Sequence, residues 1–352
     1  MRTRIKKLQS VLEKENIDFT ILGPTSNMFY FTGFREEQME RPLFFIVSKR
    51  DSFFFAPKIY EEQLQKMDFD VVVYNDGEDP YTKLDIPKGA SLAVDDQLWS
   101  VFLVNLINKF SPSNLLPASA LISPLRMVKD EEEIRTLKEG LKIAETAFTR
   151  FLDEVSEGDS ECRLARKLDE EFVNLGAEGA SFGTIVTSGS NTSMPHLRCT
   201  EKKIRRGDVI LVDFGVKYKG YSTDTTRVVS LGNPGEEVKK IYEIVRGAQE
   251  EAENSLEGMT GDEIDSLARN YMRKYSVDQF FIHRTGHGIG IDVHEEPYIS
   301  QGYNKKITRN MVFTVEPGVY IPGKFGIRLE DMVVMDGKPK VLNSLSKEIF
   351  TL

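Results

Sequence analysis

The sequence predicts a two-domain protein of mixed helix and strand, with an α/β domain over residues 1–122 followed by an α+β domain over residues 123–352. Its 352 residues exceed the length of a typical single domain. Before residue 123, short apolar runs with the composition of strands alternate with helical patterns. After it, a unit of two helices and two strands occurs twice, which indicates a weak internal duplication.

The elements of the first domain follow from its apolar pattern. A helical stripe begins the chain, formed by Ile5, Leu8, Val11 and Leu12. Five apolar runs are predicted as strands: FTIL, LFFIV, FFFAP, VVVY and LAV. LFFIV and FFFAP form a hairpin, because only residues 48–52 separate them. The segment VFLVNLINKF is a helix. This domain contains no histidine and no recognisable catalytic motif.

Pro124, in LISPLRMVKDEEEI, breaks the chain at the domain boundary, and the acidic residues 130–133 suit the first turn of a helix. The apolar face of that helix contains Ile134, Leu137, Leu141, Ala144 and Phe148. A second helix ends near Gly176. The remaining predicted elements are two strands within 209–230, helices over 236–257 and 262–275, and strands over 311–316 and 326–335.

The bulk composition excludes several classes of protein. A formal net charge of −9 argues against nucleic acid or an anionic membrane as the main partner. The apolar runs are far too short to cross a bilayer, and the N-terminal helix lacks the apolar core of a signal peptide. Cys162 and Cys199 form at most one bridge, and a chain of this length folds without one. We therefore expect a soluble, cytoplasmic protein.

Two aspartates occupy one hairpin in the stretch LVDFGVKYKGYSTD, residues 211–224. With Lys219 and Gly220 as the two-residue turn, Asp213 lies opposite Thr226, and Asp224 lies two residues from Thr226 on the same strand. The aspartates are then diagonal neighbours on one face, about 7–8 Å apart. Two negative charges at this separation repel each other, and a cation between them removes the repulsion.

The second strand pair repeats this arrangement with two glutamates. Glu316 ends the run MVFTV, and Glu330 lies within GIRLEDMVVM. Alternation along the strand places Arg328 and Glu330 on one face and Asp331 on the other. A buried glutamate without a partner is costly, so each glutamate requires a cation or a salt bridge.

His287 is the candidate nitrogen ligand, because three glycines in GHGIG and its flanks let the backbone crowd around it. Four carboxylates and one imidazole form a hard, oxygen-rich ligand set, which suits a pair of Mn²⁺ or Co²⁺ ions better than a thiolate zinc site. Each acid alone is better explained by a solvated strand end or a salt bridge than by a metal. The recurrence of the strand-end placement in both halves favours the metal site.

These residues resemble a known family. Asp213, Asp224, His287, Glu316 and Glu330 match the ligand order of the pita-bread metallopeptidases (family M24), which include methionine aminopeptidase, aminopeptidase P and prolidase. The strings VDFG, STDTTR, TGHGIGIDVHE, TVEPGVYIP and GIRLED are also similar, and the resemblance covers residues 123–352. The N-terminal domain resembles the ribonuclease-H-like domain of prolidases and aminopeptidases P. The resemblance thus implies a C-terminal pita-bread (creatinase/aminopeptidase) fold and hydrolysis of Xaa-Pro bonds.

The resemblance also implies a role for each residue. Asp213 binds one ion, Asp224 and Glu330 bridge both, and His287 and Glu316 hold the other, with a hydroxide between the ions as the nucleophile; Zn²⁺ or Fe²⁺ are further options. Glu316 is also the candidate proton shuttle, and His294 is the candidate oxyanion stabiliser. His196 matches a histidine near the substrate amide. Arg328 pairs with either a carboxylate ligand or the substrate C-terminus.

Several alternatives remain at this point. Leu197 and Tyr298 stand where prolidases often carry glycine and a carboxylate-binding arginine, so an aminopeptidase P acting on longer peptides is the second reading. Creatinase-like enzymes and non-catalytic pita-bread binding modules lack the full ligand set. His283 has no assigned role beyond a supporting hydrogen bond, and Phe182 and Tyr320 are candidates for the wall around proline. The resemblance further implies a homodimer with the N-terminal domain of one partner near the active site of the other.

Overall fold

The computed structural model describes residues 2–352 and divides the chain into two compact units, one ending at Arg126 and the other spanning Met127–Leu352. The sequence-based boundary lay four residues earlier, where Pro124 was expected to break the chain. That expectation was wrong, because Pro124 lies inside the helix Ser119–Met127. A proline removes only one backbone donor, and buried side chains anchor this helix both before the proline, at Leu121 and Ile122, and after it, at Met127.

The first unit is built on a mixed sheet. Its helices are α1 (Arg2–Glu15), α2 (Ser26–Thr32), α3 (Glu61–Leu64), α4 (Ser100–Phe110) and α5 (Ser119–Met127). Its strands are β1 (Phe19–Leu22), β2 (Phe44–Ser48), β3 (Ser52–Pro57), β4 (Asp70–Tyr74), β5 (Ser91–Val94) and β6 (Asn114–Pro117). The sheet order is β4-β3-β2-β1-β5-β6. The predicted hairpin is the antiparallel pair β2–β3. The sequence pattern did not reveal α2, α3 or β6, because each is short and weakly periodic.

The second unit contains four helices of more than ten residues among the described residues: α6 (Glu131–Leu152), α7 (Glu161–Asn174), α8 (Glu236–Glu253) and α9 (Gly261–Arg273). The predicted acidic first turn of α6 is a capping box. The Asp130 carboxylate accepts from the Glu133 backbone N–H, and the Glu133 carboxylate accepts from the Asp130 backbone N–H. Thr260 and Glu263 form the same motif on α9. The helix pairs α6–α7 and α8–α9 precede the two strand groups, as the internal duplication predicts.

The strands of the second unit form separate small sheets. They are β7 (Gly179–Ala180), β8 (Ile185–Ser188), β9 (Val209–Phe214), β10 (Val216–Tyr218), β11 (Tyr221–Ser222), β12 (Thr225–Ser230), β13 (Gly286–Gly288), β14 (Glu295–Ile299), β15 (Val312–Val315), β16 (Gly318–Ile321), β17 (Phe325–Arg328), β18 (Asp331–Asp336), β19 (Lys338–Val341) and β20 (Phe350–Thr351). The sheet orders are β11-β10-β7, β20-β12-β9-β8, β14-β13-β15-β18-β19 and β16-β17. Across residues 2–352, no helix is both long enough and apolar enough to span a bilayer.

The hairpin register agrees with the sequence prediction. Lys219 (φ 46°) and Gly220 (φ 81°) are both left-handed, as a two-residue turn of type I′ requires. Tyr218 pairs with Tyr221, and Asp213 pairs with Thr226. The backbone therefore places the aspartates on one face, as counting from the turn predicted.

The other three acids lie where strands are interrupted. Asp224 separates β11 from β12, Glu316 separates β15 from β16, and Glu330 separates β17 from β18. The Glu330 backbone N–H donates to the Thr226 carbonyl at 3.2 Å, which joins the two strand groups at this point. The internal duplication thus brings four carboxylates to one place.

Candidate metal centre

The five predicted ligands lie close together in three overlapping groups. In each of the groups Asp213–Asp224–Glu330 and His287–Glu316–Glu330, the ligand atoms lie within 4.8 Å of one another. Asp224, His287 and His294 form the third group. His287 Nε2 lies 3.3 Å from Glu316 Oε1 and 3.6 Å from Asp224 Oδ2. The side chains arrive from five different strand ends, so the sequence separation of more than one hundred residues is closed by the fold.

One oxygen of each of three ligand acids has no hydrogen-bond partner among the described residues. These buried atoms are Asp213 Oδ1, Asp224 Oδ1 and Glu330 Oε1. Buried carboxylate oxygens without partners are strongly destabilising unless a cation lies against them. The three acids each bring a ligand oxygen within 4.8 Å of the other two, and hard oxygen donors are what divalent ions such as Mn²⁺ prefer. The residues present therefore fit a divalent metal.

His287 presents the nitrogen that a metal needs. Its Nδ1 lies 3.1 Å from the Gly288 carbonyl, so Nδ1 carries the proton and Nε2 keeps its lone pair toward the acids. Burial lowers the pKa of His287 well below its usual range, and the charge of His294 lowers it further. The imidazole is thus neutral at physiological pH, which is the form that binds metals.

Without a bound cation, the acids of this cluster have raised pKa values and resist ionisation. Burial raises the pKa of Asp224 well above its usual range, and the charges of Glu330 and Asp213 raise it further. Burial and the charges of Glu316 and Asp213 do the same for the pKa of Glu330. Burial also raises the pKa of Glu316 to about 7. The cluster therefore holds protons that an incoming cation displaces.

Arg328 uses three of its five N–H donors on protein partners. Its guanidinium donates from Nη2 to Asp213 Oδ2 at 2.5 Å, from Nε to Thr226 Oγ1 at 3.0 Å and from Nη1 to Tyr320 Oη at 2.7 Å. Of the two partners that the sequence left open, the structure pairs Arg328 with the carboxylate ligand. Thr226 also donates to Glu330 Oε2 at 2.7 Å, so one hydroxyl connects the arginine to a second ligand acid.

His283 supports this network from the other side. Its Nδ1 lies 2.8 Å from the Arg284 carbonyl and its Nε2 lies 2.9 Å from Tyr320 Oη. Burial lowers the pKa of His283 to about 3, so the ring is neutral and its Nε2 accepts a hydrogen bond from the Tyr320 hydroxyl. Tyr320 is therefore a hydrogen-bonding bridge between His283 and Arg328. Tyr320 is not among the residues that line the cavity described next, whereas Phe182, the other candidate for the wall around proline, lines it.

A cavity of about 590 Å³ opens in front of these groups. All five candidate ligands line it, together with His196, His294 and Arg328. Its apolar lining includes Phe182, Ile185, Pro195 and Val293. The His294 ring lies 4.2 Å from that of His287 and is nearly perpendicular to it. The size is that of a site for a small ligand.

The segment that carries His196 is anchored at both ends. The fully buried Glu161 carboxylate accepts from Ser188, Asn191 and Thr200, with five of the distances between 2.7 and 3.0 Å. Cys199 is joined to Cys162 by a disulfide, so the structure bonds the two cysteines that the sequence analysis treated as dispensable for folding. His196 itself is exposed. These contacts hold the segment SGSNTSMPHLR, residues 188–198, against α7.

Sequence reasoning missed several residues that shape the site. Thr226 was placed opposite Asp213 by the hairpin register, but its hydroxyl was given no role. The hydrogen bond between His283 and Tyr320 joins residues 37 positions apart in sequence and had no local signal. Arg284 was also missed, although an arginine three residues before His287 was visible beside the glycine-rich motif.

Two families of known proteins match this chain. Residues 4–128 match the creatinase and prolidase N-terminal domain, and residues 135–336 match metallopeptidase family M24. An Xaa-Pro dipeptidase from Pyrococcus horikoshii is 32% identical over 340 residues, which cover 95% of each chain.

Solved structures are also similar over the whole length. A recombinant prolidase from Thermococcus sibiricus has a TM-score of 0.95 and 41% identity, with 100% of this chain and 99% of that chain covered. An X-Pro aminopeptidase from Thermotoga maritima has a TM-score of 0.88 and 34% identity, with 99% of each chain covered. The similarity therefore includes both units.

Proposed function

The chain belongs to metallopeptidase family M24, and on this basis we propose that it is an Xaa-Pro dipeptidase that uses two divalent ions. Family membership confirms the predicted family, the enzyme class and the fold, an N-terminal creatinase-type domain followed by a C-terminal pita-bread domain. The relatives named Xaa-Pro dipeptidase and prolidase agree with the predicted activity. The observation that carries the proposal is the convergence of five ligand side chains on one cavity with three partnerless carboxylate oxygens.

Asp213, Asp224, His287, Glu316 and Glu330 would hold the ions. Four carboxylates favour Mn²⁺ or Co²⁺. Asp224 and Glu330 would be the acids shared between the ions, as each belongs to two of the three ligand groups. When bound, such a pair of ions lowers the pKa of water and polarises the scissile carbonyl. The protein holds the acids in place through Arg328 and Thr226.

The remaining groups handle protons and orientation. Glu316 lines the cavity beside His287 and is the proposed proton shuttle, because a carboxylate at this place can accept a proton and return it. His294 projects next to His287, in position to donate to an oxyanion, and His196 lines the same cavity near the substrate amide. Arg328 acts as a positioning residue, since all three of its nitrogens donate to protein groups, among them the ligand Asp213.

Proline specificity is supported by the apolar side of the cavity. An Xaa-Pro bond has no N–H, so a site that offers an apolar wall in place of an acceptor tolerates it. Phe182, Ile185 and Val293 provide that wall. An aminopeptidase P acting on longer peptides is the second candidate, because Tyr298 carries no charge and the Thermotoga maritima structure is an X-Pro aminopeptidase.

One assay tests the function and separates the two candidates. Purified protein is given Ala-Pro and Ala-Pro-Ala with Mn²⁺ or Co²⁺, and then with a chelator. Chelator-sensitive hydrolysis of Ala-Pro is expected. Hydrolysis of the tripeptide alone assigns the chain to the aminopeptidases, and hydrolysis of neither peptide contradicts the proposal and favours a binding module.

A homodimer in the cytoplasm completes the proposal. The dimer rests on family resemblance, and sedimentation of the purified chain tests it by its mass. The cytoplasmic location rests on the low cysteine content. Cell fractionation tests it: the peptidase activity is expected in the cytosolic fraction, and its recovery outside that fraction contradicts the proposal.

A further inference from the structure

The candidate active-site cavity is lined by three arginines, and only one of them is occupied by the protein. Arg328 is bound by Asp213, Thr226 and Tyr320. Arg198 and Arg284 also line the cavity. Neither makes a side-chain hydrogen bond or an ion pair with the residues that the structure describes. Two arginines without a carboxylate partner beside a metal site require an explanation, because bound metal ions would already neutralise the ligand acids.

Arg284 is held in place by an aromatic ring. Its guanidinium carbon lies 4.7 Å from the centroid of Tyr298, the residue that replaces the arginine expected at this position from the family resemblance. A guanidinium that lies over the face of a ring keeps its N–H groups, which point outward in its own plane, free for another partner. Its charge also reaches the ligands, since it opposes the burial-driven rise in the pKa of Glu316.

The backbone of Arg198 is fixed by a hydrogen bond, and its guanidinium lies next to a residue without a side chain, Gly183. The Arg198 carbonyl accepts from the Val186 N–H at 2.8 Å, and the next residue, Cys199, is joined to Cys162. A Cβ on Gly183 would lie 2.8 Å from Arg198 Cζ and Nε. The φ angle of Gly183 lies outside the left-handed region, so a larger side chain at this position would act by displacing the Arg198 guanidinium. The guanidinium therefore lies flat across Gly183, at the cavity wall.

We infer that Arg284 and Arg198 together bind the carboxylate at the C-terminus of an Xaa-Pro dipeptide. The inference rests on the proposed function and deepens it, because it assigns the charged end of the substrate. In a dipeptide the carboxylate is attached directly to the proline ring, one residue beyond the scissile bond, and so it must lie inside the same cavity. Guanidinium groups match carboxylate geometry, and the preorganised pair provides several charge-assisted hydrogen bonds. The pair makes the chain a dipeptidase in spite of Tyr298.

Substrates that differ only in the terminal charge test this inference. Ala-Pro and its C-terminal amide, Ala-Pro-NH₂, are compared for the metal-loaded protein and for Arg284→Gln, Arg198→Gln and Gly183→Val. We expect the unmodified protein to prefer Ala-Pro by roughly 10- to 100-fold in kcat/KM, the range for charged hydrogen bonds. Each variant should lose most of that preference through a higher KM for Ala-Pro, with little change for the amide.

The matched control is Arg309→Gln, which removes an exposed arginine that pairs with Asp336 outside the cavity. It should leave both substrates unaffected, and thermal unfolding of every variant checks that each is folded. Tyr298→Leu removes only the stacking partner and should raise KM for Ala-Pro less than Arg284→Gln does. Equal kcat/KM for the two substrates in the unmodified protein overturns the inference and leaves the proposed function standing. Hydrolysis of neither substrate overturns both.

A binding measurement provides a readout that does not depend on turnover. Proline carries the carboxylate, and prolinamide lacks it. Calorimetric titration should show proline binding more tightly to the unmodified protein than prolinamide, with the difference lost in Arg284→Gln. Equal binding of both ligands to the unmodified protein contradicts the assignment of these arginines.

Discussion

Arg328 Nη2 donates to Asp213 Oδ2 at 2.5 Å, across 115 positions of sequence, while the other oxygen of Asp213 has no partner among the described residues. One carboxylate thus has two distinct oxygens. The first is bound by a buried cation of the protein and fixes the side chain, and the second is left for a metal. Supporting groups that orient a ligand in this way control metal affinity almost as strongly as the ligands themselves.

Replacing this arginine should destabilise the protein strongly. In Arg328→Met, the Asp213 carboxylate and the Tyr320 hydroxyl each lose a donor in a buried site, so the free energy of unfolding should fall by about 3–5 kcal/mol. Denaturant unfolding of the metal-free protein measures this. Arg309→Met, at the exposed pair with Asp336, is the control and should cause no measurable change. A loss no larger than that of the control would show that the buried pair contributes nothing.

The stability of the metal-free protein should fall as the pH rises. Burial raises the pKa of Asp224, Glu330 and Glu316 in the folded state, to about 7 for Glu316. Their contribution is therefore fully present below the unfolded pKa, about 4.3 for glutamate, and is lost as the pH rises through the folded pKa. Thermal unfolding in chelator between pH 7 and 9 should show a decreasing Tm, because in this range the buried histidines, whose folded pKa values are lowered, are neutral in both states and do not offset the acids.

Added Mn²⁺ should reverse that trend, because the metal binds the deprotonated acids and competes with protons. At a free concentration one hundred times Kd, the ion should stabilise the protein by about 2.7 kcal/mol at pH 8. The same scans with Mn²⁺ measure this. A Tm that changes equally with pH in chelator and in Mn²⁺ contradicts a linked acid cluster.

Asp224→Asn should lose metal and activity while remaining folded. The amide removes one of the mutually repelling charges and provides N–H donors to the neighbouring acids, so the metal-free variant should be at least as stable as the unmodified protein at pH 8. Elemental analysis, a peptidase assay and thermal unfolding measure the three properties. Asp51→Asn, at an exposed loop position, is the control and should keep all three. Full metal content in Asp224→Asn would count against the site.

Reduction of the disulfide should loosen the segment that carries His196 and Arg198. The bond closes a loop of 37 residues, and such crosslinks contribute roughly 2–4 kcal/mol to the free energy of unfolding. Cys199→Ser should lower the unfolding free energy by this amount and raise hydrogen exchange over residues 194–200. No other cysteine is present, so a thiol reductant gives the same comparison in the unmodified chain. Unchanged exchange would show that the Glu161 hydrogen bonds alone hold the segment.

Much of the site was predictable because strands impose simple rules. A two-residue turn sets the register of both flanking strands, so Asp213 opposite Thr226 followed from counting. Alternation likewise separated Glu330 from Asp331, and the structure places Asp331 against Arg227 in a buried pair on the other face. Local patterns of this kind are written in neighbouring residues.

What the sequence by itself determined was the set of ligands, their chemistry and the strand ends that carry them. Only the tertiary structure decided which groups meet across elements: Arg328 with Asp213, His283 with Tyr320, Cys162 with Cys199, and Arg284 over Tyr298. It also decided that Pro124 lies inside a helix. The physical reason is that register and alternation depend on positions along one strand, whereas these contacts depend on how separate elements pack, and several partners are equally compatible with the sequence.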